Sequence, residues 1–226
     1  MKYEIVYFDL DHTILDFEKS EKIALFNTLK YFSIEPCEEY LEIYKPINEK
    51  WWKLFSEKKY PKEIIVIERF KEFFHNIGYN STIEFKKASE IYLENLSNLG
   101  FFLPRAKDLL EELKSFNQRM AAITNGVEKV QKGRSKALNL EKYFEFILTS
   151  EKVGKPKPDP LIFYEAEKLS GVSIKSSVYI GDNPDSDYIG AKNAGMDFIL
   201  YDPHNNHSEL NCKKVSNYIE LLKLLA

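Results

Sequence analysis

The sequence predicts an α/β fold: a doubly wound parallel sheet with an all-helical segment inserted after its first strand. Three observations lead there. Short apolar runs rich in β-branched and aromatic residues recur along the chain, each closed by Asp, Thr, Asn or Gly. Amphipathic stretches at helical spacing separate them, with few hairpin signals, and strand–helix alternation gives a parallel sheet covered on both faces. Residues 20–96 break this alternation, showing helical stripes and no convincing strand.

The first strand is Ile5 to Phe8, and the others are Met120 to Ile123, Phe146 to Leu148, Val178 to Ile180 and Phe198 to Tyr201. Ala106, Leu109, Leu110, Leu113 and Phe116 mark a helix before the second strand. Another runs from Leu161 to Leu169, started by Pro160. Within the insertion, one stripe is Ile23, Phe26, Leu29 and Phe32. A second is Ile64, Ile67, Phe70, Phe74 and Ile77, and a third passes through Ala88, Ile91 and Leu96. Pro36, Pro46, Pro61 and Gly78 punctuate them. The expected division is a core of residues 1–17 and 98–226 and a helical domain of residues 18–97.

Composition narrows the function classes. The chain has 226 residues, 44% hydrophobic and 30% charged, enough to bury a core without disulfides or structural metal. A net charge of −3 argues against a nucleic-acid polymer or an anionic membrane as partner. Cys37 and Cys212 lack metal-ligand spacing and read as reduced thiols of a cytoplasmic protein. The opening MKYEIVYFDLDHT does not read as a signal peptide, and no segment is apolar enough to span a bilayer. A monomer or weak dimer is expected.

Ligands of an open parallel sheet bind beyond the carboxyl ends of its strands, so the residues after each strand matter most. The first strand leads into Asp9-Leu10-Asp11-His12-Thr13 and the second into Thr124-Asn125-Gly126. The third leads into Gly154-Lys155-Pro156-Lys157-Pro158-Asp159-Pro160, and the fourth into Gly181-Asp182-Asn183-Pro184-Asp185-Ser186-Asp187. Phosphoryl transfer suits these residue types. A carboxylate can attack phosphorus and form an acyl phosphate. The anions so brought together need a cation, and Mg²⁺ accepts one or two carboxylates plus a phosphate oxygen. Asp9 and Asp182 are the natural pair. Asp11 is placed to protonate the leaving group and then deprotonate water. Lys155 supplies fixed positive charge, while Thr124, Asn125 and the following N–H groups bind phosphate oxygens.

The segments DLDHT, TNG, GKPKPD and GDNPDSD resemble, in order and placement, the four motifs of the haloacid dehalogenase superfamily of phosphatases. The resemblance covers residues 1–18 and 98–226, and the helical insertion stands where that superfamily carries its cap. It implies Asp9 as nucleophile, Asp11 as general acid/base, Thr124 as phosphate ligand and Lys155 as charge stabiliser. It further implies Mg²⁺ held by Asp9, the Asp11 backbone carbonyl and Asp182, with Asp187 behind them, and a five-stranded sheet ordered 5-4-1-2-3. Lys155 matches the Gly-Lys-Pro order, which leaves Lys157 as a solvated neighbour, and spacing prefers Asp187 to Asp185.

Superfamily members that displace halide lack the second acidic residue of the first motif, because halide needs no proton. Asp11 therefore favours phosphate esters. The Thr-Asn-Gly segment is similar to the nucleotidase-like branch, which implies a small phosphorylated metabolite, first a nucleoside 5′-monophosphate, then a sugar phosphate or phosphoglycolate. Phosphomutase, haloacid dehalogenase and non-catalytic phosphate-binding module remain the other readings. Trp51, Trp52 and Phe55 offer ring faces to a base or sugar, but aromatics at helical spacing more often pack, and the adjacent tryptophans point to different faces. His12, His75, His204 and His207 show no ligand spacing and take no role.

Overall fold

A computed structural model describes residues 1–79 and 83–226. Six parallel strands form one sheet: β1 Ile5–Phe8, β2 Arg119–Thr124, β3 Ile147–Thr149, β4 Ser177–Gly181, β5 Asp197–Tyr201 and β6 Lys213–Val215. Their order is β3-β2-β1-β4-β5-β6. The five expected strands are present with the expected neighbours. The sixth, on the edge, corrects the five-stranded expectation.

The helices are α1 Phe17–Tyr31, α2 Glu38–Ser56, α3 Lys62–Asn76, α4 Phe85–Ser97, α5 Ala106–Ser115, α6 Glu128–Leu138, α7 Ser150–Val153, α8 Leu161–Ser170, α9 Ile189–Ala194 and α10 Tyr218–Leu225. None among the described residues is long and apolar enough to cross a membrane.

Two compact units result. One comprises Met1–Phe17, Phe101–Glu128 and Leu138–Ala226, the other Glu18–Gly100 and Lys129–Ala137. In the first, a strand's alternation serves two cores at once. Val6 and Phe8 of β1 pack with Met120, Ala122, Val178 and Ile180, under α5 and α10. Ile5 and Tyr7 face the other way, onto Ala121, Ile123, Tyr179 and the α8 residues Ile162, Phe163 and Ala166.

In the second unit, α2 packs on α3 and α3 on α4. Pro46, expected to end a helix, lies inside α2. A helix-interior proline forfeits one backbone hydrogen bond, and buried Leu41, Tyr44, Ile47 and Phe55 on both sides of it hold α2 continuous. The buried stripe of α3 is also rotated from expectation: Ile64 is exposed, while Lys62, Ile65, Arg69 and Phe73 join Phe70 and Phe74 inside.

Candidate active site

Register places the chemistry at one end of the sheet. Phe8 pairs with Ala122 of β2 and with Ile180 of β4, so the next residues, Asp9, Ile123 and Gly181, emerge side by side. The Asp9 N–H donates to the Ile180 carbonyl at 2.8 Å. Chain order reverses direction across β1, the topological switch point where open α/β sheets leave a crevice.

Asp9, Asp182 and Asp187 each offer a carboxylate oxygen, all within 4.8 Å of one another. Asp9 and Asp187 are buried. Thr13 donates from Oγ1 to Asp182 Oδ1 at 3.1 Å. Asp187 Oδ2 accepts from the Asn183 N–H at 3.2 Å.

The buried lysine of this cluster is Lys157, which corrects the choice of Lys155. Its ammonium lies 2.6 Å from Asp9 Oδ1 and 2.7 Å from Asp187 Oδ1, and the side chain is 2% exposed. Lys155 is exposed. Local structure explains the difference. Gly154 closes α7 in the left-handed conformation, turning Lys155 out. Two residues later the Lys157 backbone is clamped by Asn125, whose Nδ2 donates to the Lys157 carbonyl at 3.0 Å and whose Oδ1 accepts from the Lys157 N–H at 2.9 Å. The Asn125 side chain thus anchors the lysine segment as well as standing in the expected phosphate loop.

Thr124 ends β2 and is buried, its Oγ1 accepting from the Gly126 N–H at 3.0 Å. That turn leads into α6. Asp11 is only partly buried, in a loop where His12 takes φ 60° and donates its N–H to the Leu15 carbonyl at 3.0 Å. The Asp11 side chain is outside the three-carboxylate group. Two residues went unnoticed in the sequence. Thr13 lies within the first motif, where its position after β1 could have marked it as a candidate, although its partner Asp182 is 169 residues away. Tyr179 lies inside an apolar strand, where nothing marks its hydroxyl.

Trp51 donates from Nε1 to Glu72 at 2.9 Å and meets Tyr60 edge-on, whereas Trp52 meets Phe55 edge-on. The Lys62 ammonium lies 5.0 Å from the Phe55 ring centre. The two tryptophans therefore have different neighbours.

Electrostatics test the fit of a divalent cation. Burial raises the pKa of Asp9 well above the carboxylate range, with Lys157 opposing and Asp187 and Asp182 adding to the rise. Burial and then the Asp187 charge lift Asp182 to about 7. Burial pulls the Lys157 pKa down, but the facing Asp187 and Asp9 override it, and the ammonium is stabilised. When all three carboxylates are ionised, set against one ammonium, they leave an excess of two negative charges. The raised pKa values of Asp9 and Asp182 express what burial and that excess cost without a cation. Hard oxygen donors with that deficit suit Mg²⁺.

The family model for haloacid dehalogenase-like hydrolases matches residues 6–201. The chain is 35% identical over its whole length to the pyrimidine 5′-nucleotidase PynA of Streptococcus pneumoniae, covering 96% of that protein. It is 26% identical over 91% of its length to the pyrimidine 5′-nucleotidase YjjG of Escherichia coli, covering 88% of that protein. A crystal structure of the HAD-hydrolase YfnB from Bacillus subtilis, bound to magnesium and revealing interdomain movement, superposes with a TM-score of 0.90 at 27% identity, covering 100% of this chain and 99% of that one.

Proposed function

This chain belongs to the haloacid dehalogenase-like hydrolase family and is a phosphomonoester hydrolase of that type; from that premise we propose that it removes the 5′-phosphate of nucleoside monophosphates, pyrimidine nucleotides first. The observation that carries the chemistry is the Lys157 ammonium seated between Asp9 and Asp187, beside Asp182. It joins a buried carboxylate to a fixed positive charge at the mouth of a switch point. Its similarity to the pyrimidine 5′-nucleotidases PynA and YjjG supports the substrate class.

In this reading Asp9 is the nucleophile. Oδ1 carries the Lys157 bond, which leaves Oδ2 to attack phosphorus as the ester P–O bond breaks. Asp11 gives its proton to the departing ribose oxygen. It then takes a proton from the water that attacks the aspartyl-phosphate, and the Asp9–phosphorus link breaks to release inorganic phosphate. Lys157 offsets charge gathering on Asp9 and the phosphoryl oxygens. Thr124 and the N–H groups after it hold those oxygens, and Asp187 keeps Lys157 in place. Mg²⁺, held by Asp9, Asp182 and the Asp11 backbone carbonyl, would neutralise the phosphate and the attacking carboxylate together. We assign the helical unit the role of cap, excluding water and selecting the leaving group.

Phosphate release from UMP, CMP, dTMP, AMP, GMP, glyceraldehyde 3-phosphate and phosphoglycolate, with Mg²⁺ and with EDTA, tests both halves. Mg²⁺-dependent release led by the pyrimidine nucleotides is expected. Release from the three-carbon and two-carbon phosphates alone would overturn the substrate class, and release indifferent to EDTA would overturn the metal.

A further inference from the structure

Lys157 is held by more than the carboxylates it neutralises. An ammonium has three N–H bonds, and three acceptors stand at short range: Asp9 Oδ1 at 2.6 Å, Tyr179 Oη at 2.6 Å and Asp187 Oδ1 at 2.7 Å. The Ile123 carbonyl is a fourth, more distant at 3.3 Å. Tyr179 is the middle residue of β4 and fully buried. Its ring meets Phe163 edge-on at 5.1 Å and lies tilted against Phe198 at 6.2 Å. Gly190 comes close to the Phe163 ring, for a Cβ there would lie 2.8 Å from Phe163 Cε2.

The direction of each bond follows from what the atoms can do. Tyr179 Oη lies 2.9 Å from the Ile123 carbonyl, which can only accept. The ammonium can only donate. The phenol proton therefore goes to Ile123, and a lone pair of the same oxygen receives Lys157. The 3.4 Å separations of Oη from Asp9 Oδ1 and Asp187 Oδ1 are too long to compete.

We propose that Tyr179 is a positioning residue for the reaction: its hydroxyl, tied to the backbone of β2 through Ile123, fixes the Lys157 ammonium between Asp9 and Asp187. This rests on the reading of Asp9 as the nucleophile and Lys157 as its charge partner. Without that oxygen, one N–H of Lys157 has only the Ile123 carbonyl left to reach, and that carbonyl has lost its own donor. The ammonium is then drawn toward β2 and off the carboxylates.

Tyr179→Phe keeps the ring and its packing and removes one oxygen. In the free protein, the side-chain ¹H–¹⁵N signal of the buried Lys157 ammonium is expected to exchange slowly with water and to shift or broaden in Tyr179→Phe. A signal unchanged by the substitution overturns the proposal whatever the activity. With UMP and Mg²⁺, kcat is expected to fall about ten-fold, the scale of one hydrogen bond to a charged group, with KM changed less than about two-fold. Repeated in Lys157→Met with an activated aryl phosphate, the same substitution should cost nothing further. An equal loss in that background would make Tyr179 a fold residue and overturn its positioning role. If the wild-type protein releases no phosphate from any ester while the ammonium signal still responds, the proposed reaction fails and the positioning stands.

Discussion

Asp187 lies so close beneath Gly181 that a Cβ on residue 181 would fall 2.2 Å from Asp187 Oδ2 and 2.7 Å from its Cγ. Backbone dihedrals do not demand glycine here, since residue 181 ends a regular strand. The demand is one of space. Asp187 can meet Lys157 only by tucking against the strand end, and any side chain at 181 would push it out. Gly181→Ala is expected to destabilise the protein by about 1–3 kcal/mol, as overpacking does, seen as a fall of several degrees in Tm. It should also lower kcat about ten-fold through the displaced Lys157 partner. A thermal melt and UMP turnover both matching wild type would show that Asp187 yields freely and does not hold the lysine.

The two lysines of the Lys-Pro-Lys-Pro segment should behave oppositely. Lys157→Met removes the charge facing Asp9 and is expected to lower kcat by about 10²–10³, the range seen when a fixed electrostatic partner is removed. Lys155→Met touches an exposed side chain and should stay within about two-fold. Phosphate release at saturating Mg²⁺ compares them, and equal losses would return the role to the segment as a whole.

Asp182 is oriented from behind. Thr13 donates to its Oδ1 at 3.1 Å, and the Thr13 carbonyl accepts from Tyr218 Oη of the last helix at 2.8 Å. Partners behind a metal ligand typically govern metal affinity by about 10–100-fold. Thr13→Val is therefore expected to raise the half-saturating Mg²⁺ concentration about ten-fold while leaving kcat at saturating Mg²⁺ near wild type. A Mg²⁺ titration of turnover measures it. A loss of kcat that added Mg²⁺ cannot recover would place Thr13 in the chemistry, not in orienting the ligand.

Much of this was legible because the signals are local. Ile5–Phe8 and Val178–Ile180 are apolar on both faces, as strands buried in a parallel sheet must be, and the acidic segments directly after them could only gather at one sheet edge. What escaped notice depends on three-dimensional neighbours. β6 is Lys-Lys-Val, three residues on an edge with one buried side chain, too short and polar to show a period. The choice between Lys155 and Lys157 was decided by the Asn125 clamp, 32 residues away. The hydroxyl of Tyr179 serves a lysine 22 residues earlier in the chain. In the helical unit, the apolar stripes of α1 and α3 were read out of phase because their buried faces include Glu21, Thr28, Lys62 and Arg69. A search for apolar period discards those residues.

That polar interior gives the last prediction. Asn48 donates from Nδ2 to Glu21 Oε1 at 2.8 Å and accepts from Arg69 Nη1 at 2.6 Å, with all three residues buried. An amide serves both because it carries a donor and an acceptor side by side. An aspartate at 48 would repel Glu21, and a leucine would meet neither. Asn48→Leu is expected to destabilise the protein by about 2–4 kcal/mol, the scale of removing two bonds to buried charged groups. Replacing Glu21, Asn48 and Arg69 together by Leu, Leu and Met should then recover much of that loss, as buried charged networks exchanged for apolar ones often do. Urea unfolding of the single and triple variants decides the matter. A triple variant as unstable as Asn48→Leu would mean that shape, and not charge compensation, is what these residues supply to the helical unit.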